Sequence, residues 1–142
     1  MKNYLLLCGG VGGAKLALGF KNSIDPMNLT IVVNTGDDFT HLDFKICPDL
    51  DTVMYTLAGE SDASKGWGRK DESWNMLSAL GEMNGETWFQ LGDKDLATHI
   101  QRTHLMKSGL SLTGRFLGGE VGLLSFSKKG MSKKLTTIEA FL

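Results

Sequence analysis

Residues 4–38 read YLLLCGGVGGAKLALGFKNSIDPMNLTIVVNTGDD. Tyr4–Cys8 is a short, continuous apolar run that stops at glycine, the pattern of a strand buried on both faces of a parallel sheet. Glycine then fills every position from Gly9 to Gly13 except Val11. Leu16, Leu18, Phe20 and Ile24 follow at loosely helical spacing. Leu29–Val33 is β-branched and apolar and ends at polar residues, as a second strand does. Strand, glycine turn, helix and strand make a βαβ unit, whose crossover is right-handed and whose strands are parallel. The expected class is α/β.

A glycine turn between strand and helix lets backbone N–H groups face an anion at the positive end of the helix dipole. The familiar versions of that turn do not match. A Walker loop needs Gly-Lys followed by Ser or Thr, whereas Ala14 separates Gly13 from Lys15 and Leu16 follows. The dinucleotide fingerprint starts well with Gly10 and Gly12 but meets Lys15 at its third glycine. Two readings stay open: a tight turn with close helix–strand packing, or a phosphate-binding loop of another kind. Asp37 and Asp38 favour the second, although a polar turn would also explain them. They follow a strand at the sheet's carboxyl end, where ligands of open α/β sheets sit. Gly9, Gly10, Gly12, Gly13 and Lys15 are therefore the expected phosphate-binding residues, and Asp37 and Asp38 the expected ligands of magnesium, a cation suited to hard oxygen donors.

Further along, CPDLDTVMYTLAG (residues 47–59) is the clearest helix. Pro48 holds Cys47 extended, Asp49 is placed to cap, and Asp51 falls in the first turn, where the dipole favours a carboxylate. Leu50, Val53, Met54 and Leu57 recur at helical spacing, and Gly59 closes the helix. Capping alone accounts for Asp49, whereas Asp51 has no evident structural role. A further helix runs through ESWNMLSALGEM, and another from Asp95 to a stop at Gly109. Asp95 and His99 share a face at i, i+4, whereas His99 and His104 point apart and make no zinc pair. KGWGRKDESW is rich in glycine and charge, as expected of a loop over a site.

The 142 residues make one domain by ordinary priors, and the net charge of −1 exerts no pull on nucleic acid or an anionic membrane. No apolar run has the length of a membrane span. Cys8 and Cys47 make no disulfide framework, so a cytoplasmic globular protein is expected. Residues 111–142 hold five of the 15 Lys and Arg (Arg115, Lys128, Lys129, Lys133, Lys134) but only Glu120 and Glu139 among the acids. That shift is the one boundary the composition suggests.

Taken in order, GGVGGAKLALG, VVNTGDDF, ICPDLDTVMYTLAG, GWG and ETWFQLGDKDLATHIQRT closely resemble the 2-phospho-L-lactate transferase family of coenzyme F-420 biosynthesis, over residues 4–110. The resemblance implies a Rossmann-like parallel sheet with flanking helices. It implies transfer of a phospholactyl-type or phosphoenolpyruvyl group from a GDP-linked donor to the hydroxyl of the deazaflavin Fo, with GMP leaving and magnesium required. It assigns Fo contacts to Asp51 and Lys94, the latter standing where many relatives carry arginine. Asp37, Asp38 and Asp51 are then the catalytic carboxylates. After Leu110 the likeness stops, so residues 1–110 read as the N-terminal part of the transferase domain and 111–142 as a divergent tail. The second half of family chains implies the guanosine pocket and a homodimer at full length, and this chain reads as a truncated or frameshifted product. Two rivals fit less of the pattern. A nucleotide-sugar-binding regulator of the gluconeogenesis-factor type carries DDGGS where this chain has GDDF, and an NAD-dependent oxidoreductase is disfavoured by Lys15.

Overall fold

The computed structural model describes residues 2–25 and 28–109 with their side chains, and the backbone of 113–117, 120–121 and 137–140. Pro26 and the expected tail's Lys128, Lys129, Lys133 and Lys134 lie outside the described residues. The order is β1 (Tyr4–Cys8), α1 (Gly10–Ser23), β2 (Leu29–Val33), β3 (Phe39–His41), β4 (Phe44–Ile46), α2 (Pro48–Ala58), α3 (Asn75–Glu82), α4 (Asp93–Lys107), β5 (Thr113–Leu117), β6 (Glu120–Val121) and β7 (Thr137–Ala140).

The expected βαβ unit is present. β1 and β2 pair in parallel, from Tyr4 opposite Leu29 to Cys8 opposite Val33. β7 pairs in parallel with the other side of β2, and β5 runs antiparallel to β7, giving the order β1-β2-β7-β5-β6. The class is α/β, a small Rossmann-like arrangement with a mixed rather than purely parallel sheet. Strand β2 is not left with an open edge, because residues 137–140 supply its neighbour.

Helices α1 and α2 cover one face of β1 and β2. Leu6, Leu29, Ile31 and Val33 point into that layer and meet Ala14, Ala17, Leu50, Val53 and Leu57. Burial on both faces of β1 is the expectation the structure corrects: Leu5 and Leu7 are 66% and 70% exposed. Successive side chains of a strand alternate between faces, and Leu5 and Leu7 lie on the face opposite the one α1 and α2 cover. The helical face of α1 is also displaced. Ala14 and Ala17 are buried, Leu18, Phe20 and Ile24 pack partly against the core, and Leu16 is exposed. Small residues at i, i+3 let the helix sit close to the sheet, and Leu16 falls off that line.

Helix α2 buries Leu50, Val53, Met54 and Leu57 and ends at Gly59 in the left-handed region, both as expected. Its start differs, since Cys47 is the N-cap and Pro48 opens the helix. Asp49 is therefore not the cap, and its carboxylate is free for another contact.

Helices α3 and α4 cap each other through two carboxylates. Glu72, just before α3, accepts hydrogen bonds from the N–H groups of Lys94 and Asp95 at 2.7 and 3.1 Å. Asp93, opening α4, accepts from the N–H groups of Asn75 and Met76 and from Ser73 Oγ at 2.8–3.1 Å. Each helix N-terminus thus finds a partner on the other segment. These bonds, led by that from the Met76 N–H, hold the Asp93 carboxyl down to about 2. A depressed folded value stabilises above the ordinary carboxyl range near pH 4 and is lost as pH falls through about 2. Thermal melts should therefore show Asp93→Asn below the parent near neutral pH, with the gap closing between about pH 4 and 2. A gap independent of pH would contradict the assignment.

Candidate functional site

The four glycines of the turn have different surroundings. Gly10 has φ +63, in the left-handed region. A Cβ on Gly13 would lie 2.9 Å from Cys8 Cβ and 3.4 Å from the β1 backbone, so close helix–strand packing requires it. A Cβ on Gly9 would lie 2.6 Å from Asp49 Oδ2. Gly12 meets nothing within 4 Å and is exposed. Packing thus accounts for Gly9 and Gly13 and the positive φ for Gly10, but neither accounts for Gly12. The first turn of α1 has no capping side chain, and Lys15 is exposed one turn later.

Asn34, at the end of β2, joins this turn to α2. Its Nδ2 donates to Asp49 Oδ2 at 2.8 Å and to Asp37 Oδ2 at 3.1 Å, while its Oδ1 accepts the Gly36 N–H at 3.0 Å. Asp38 faces elsewhere: its side chain is buried and its Oδ2 lies 3.3 Å from Lys45 Nζ, without hydrogen bonds to either carboxylate oxygen. The two acids expected to act as a pair therefore have different partners, and Asp37 has Asp49 beside it instead.

Below the first turn of α2 lies a buried polar cluster. Arg102, on α4, is 0% exposed and is among the largest fully buried side chains. Its Nη1 donates to Asp51 Oδ2 at 3.1 Å and its Nη2 donates to Asp51 Oδ1, a bidentate pair. Nη1 also lies 3.2 Å from His99 Nδ1. A guanidinium only donates, so Nδ1 accepts and the neutral imidazole carries its proton on Nε2. Nε2 faces Asp95 Oδ2 at 3.4 Å, bearing out the shared face of Asp95 and His99. Tyr55 donates its hydroxyl to Asp95 Oδ1 at 2.5 Å.

The electrostatics follow from this packing. Burial raises the Asp51 carboxyl above its ordinary value, and the Arg102 guanidinium pulls against that rise. Burial also opposes charge on Arg102, but the adjacent Asp51 outweighs it and keeps the guanidinium charged. Burial works against charge on Asp95 too, and the bonds from His99 and Tyr55 reverse that, leaving its carboxyl below the ordinary value. Burial pushes Cys47, at the head of α2, up to about 12, so it is an inert thiol. Asp51, Asp95 and His99 each offer a ligand atom within 4.8 Å of the others, an arrangement that fits a divalent cation. A metal there would share Asp51 with Arg102, using lone pairs the guanidinium leaves open, and would take the place of the proton on His99 Nε2.

Asp51, Tyr55, Trp67, Phe89, Asp95 and His99 line a cavity of about 200 Å³. Trp67 belongs to the glycine-rich loop expected to cover a site, and a Cβ on its neighbour Gly66 would lie 3.4 Å from Val11 at the head of α1. Lys94 is not among the lining residues; its Nζ donates to the Lys70 carbonyl at 3.2 Å. The first turn of α2 therefore has two sides, with Asp49 on the glycine turn and Asp51 on the cavity. Asn34, Tyr55 and Arg102 carry this geometry without having stood out in the sequence. The available signal for Arg102 was its spacing, three residues after His99 on the same helix.

Asp51 is thus far from lacking a structural role. Asp51→Asn would leave Arg102 buried without its counter-charge, and is expected to cost about 3–5 kcal/mol. Urea unfolding measures this; a cost below about 1 kcal/mol, the scale of a helix-dipole contact, would contradict the pairing.

Comparison with known proteins identifies the family. The family model described as 2-phospho-L-lactate transferase CofD matches residues 5–120. A phosphoenolpyruvate transferase of Kitasatospora aureofaciens is 45% identical over 109 residues, covering 75% of this chain and 34% of that protein. One of Streptomyces coelicolor is 44% identical over 110 residues, covering 77% and 34%. One of Thermobifida fusca is 42% identical over 120 residues, covering 77% and 37%. The chain spans about a third of the length of these curated relatives. With the match running from the first strand through all four helices of the described residues, the chain belongs to the CofD family of 2-phospho-L-lactate transferases.

Proposed function

We propose that the protein moves a phosphoenolpyruvyl or 2-phospho-L-lactyl group from a GDP-linked donor to the hydroxyl of Fo, releasing GMP, in coenzyme F-420 biosynthesis. The observation that carries this is the two-sided first turn of α2. An uncapped, glycine-lined helix N-terminus lies on one side, and an aromatic cavity with a fixed carboxylate lies on the other. A transferase needs such neighbouring sites, because donor and acceptor must meet in one orientation. The names of the relatives, phosphoenolpyruvate transferases, favour the phosphoenolpyruvyl group.

In this reading the Fo hydroxyl oxygen bonds to the phosphorus that bears the three-carbon group. The bond from that phosphorus to the GMP oxygen breaks, and the hydroxyl proton is released. Gly9, Gly10, Gly12, Gly13 and Lys15 hold the donor phosphates with backbone N–H groups and one ammonium. Asp51 meets Fo from the cavity wall, and Lys94 reaches it on leaving the Lys70 carbonyl. Magnesium, when bound, supplies charge neutralisation on the phosphate oxygens. Asp37 and Asp38 would hold it: the first is exposed at the glycine turn, and the second, now buried 3.3 Å from Lys45, would reach it on leaving that lysine. Residues 1–110 carry all these groups and 111–142 form the divergent segment. The full-length protein would be a cytoplasmic homodimer. No helix of the described residues is long and apolar enough to cross a membrane.

Gly12 gives the sharpest test of the phosphate cradle. Gly12→Ala should leave stability unchanged or raise it by up to about 1 kcal/mol, since alanine is the better helix former and space is open. The same change should weaken GDP binding at least about tenfold, by placing a methyl group against the phosphates. Gly13→Ala should instead destabilise. Undiminished GDP affinity in a folded Gly12→Ala, read by calorimetry, would refute the cradle.

The metal assignment is tested separately, by the magnesium dependence of GDP binding. Asp37→Asn and Asp38→Asn should abolish it, and Asp95→Asn should preserve it. The reverse pattern would move the metal to the cluster of Asp51, Asp95 and His99.

A further inference from the structure

We infer that Arg102 is a positioning residue for acceptor binding, acting wholly through Asp51. This deepens the reading above and rests on its assignment of Asp51 to the acceptor.

A fully buried arginine is costly to desolvate, and a salt bridge seldom repays that cost better than apolar side chains of the same volume. Stability alone therefore does not account for this pair. What the pair does is geometric. Asp51 is on α2 and Arg102 on α4, and both carboxylate oxygens are taken by one rigid guanidinium fork. Nη1 reaches the Lys45 carbonyl of β4 at 3.4 Å as well, so the fork is referenced to three elements. The Asp51 side chain is 8% exposed, and it lines the cavity while so held. Its remaining lone pairs then point in one direction only, which is what recognition of a hydrogen-bond donor on a ligand requires. Arg102 is not among the residues lining the cavity, so it makes no ligand contact of its own.

Lysine at position 102 would retain the charge but lose the bidentate fork. A stabilising counter-charge can be supplied by either residue, whereas fixed orientation needs the fork. Arg102→Lys is therefore expected to recover most of the stability lost in Arg102→Gln, yet to bind Fo at least about tenfold more weakly than the parent. A purely structural role would move the two quantities together.

The experiment is a double-mutant cycle read by Fo fluorescence titration, with urea unfolding of every variant. It uses the parent, Arg102→Lys, Arg102→Gln, Asp51→Asn and Asp51→Asn/Arg102→Gln. The doubly substituted chain has two neutral amides in place of the ions and should fold even where a single change does not. The expected result is weak Fo binding by Arg102→Lys, and equal affinity for Asp51→Asn and the double variant, since without its carboxylate Arg102 has nothing to position. A folded Arg102→Lys that binds Fo within about twofold of the parent overturns the inference. A double variant binding more weakly than Asp51→Asn also overturns it, by showing that Arg102 acts independently. Should Asp51→Asn not fold, Arg102→Lys compared with the parent decides by the same twofold and tenfold limits. An Arg102→Lys that does not fold overturns the inference, because charge alone then fails to restore stability. If Asp51→Asn alone binds Fo as the parent does, the acceptor reading itself fails, and this inference falls with it.

Discussion

The arrangement of the site depends on the buried pairing of Asp51 with Arg102. Helix α4 buries Thr98, His99, Arg102 and Thr103, a polar face that hydrophobic burial cannot hold in place. What docks it is a set of directed bonds. Arg102 binds Asp51 of α2 and the Lys45 carbonyl, and Thr103 Oγ1 accepts the Lys45 N–H at 2.9 Å. The other end of α4 is set by Glu72, which accepts from its first N–H groups. Directed bonds specify register where an apolar stripe would tolerate slippage, so α4 is located by chemistry that also faces the cavity.

In the proposed reaction, the first turn of α2 is where donor and acceptor meet. Asp49 and Asp51 are separated by one residue, and consecutive helical positions diverge by about 100°. One carboxylate therefore reaches the glycine turn through Asn34 while the other enters the buried cluster. The side chains at Gly9, Gly13 and Asn34 are limited by packing and hydrogen bonding around that divergence. Gly12 is limited by nothing in the described protein, which is why it carries the ligand argument alone.

The βαβ unit and α2 were legible because they rest on apolar periodicity and glycine. The parallel pairing of β1 with β2, the buried face of α2 and its stop at Gly59 all follow from such patterns. The errors came where the pattern was ambiguous. A run such as YLLLC cannot show whether one face or both will be covered, and Leu5 and Leu7 turned out exposed. Asp49 was read as a cap because acids favour that position, but Pro48 moved the helix start to Cys47. The site was legible as a list of acids and glycines, not as a set of partnerships. Nothing in the sequence pairs Asp51 with a residue 51 positions later, nor separates Asp37 from its neighbour Asp38. Long-range polar contacts leave no periodic trace, and α4, whose buried side is polar, shows the least hydrophobic signal where it matters most.

The central claim is that one helical turn separates a donor side from an acceptor side. The most direct measurement is an amide NMR titration of the isotopically labelled chain, with GDP and with Fo in separate experiments. The account predicts that GDP shifts the amides of Gly10, Gly12, Gly13 and Asp37, whereas Fo shifts those of Asp51, Tyr55, Gly68 and Phe89. The same residues shifting with both ligands, or Fo perturbing only the glycine turn, would contradict it.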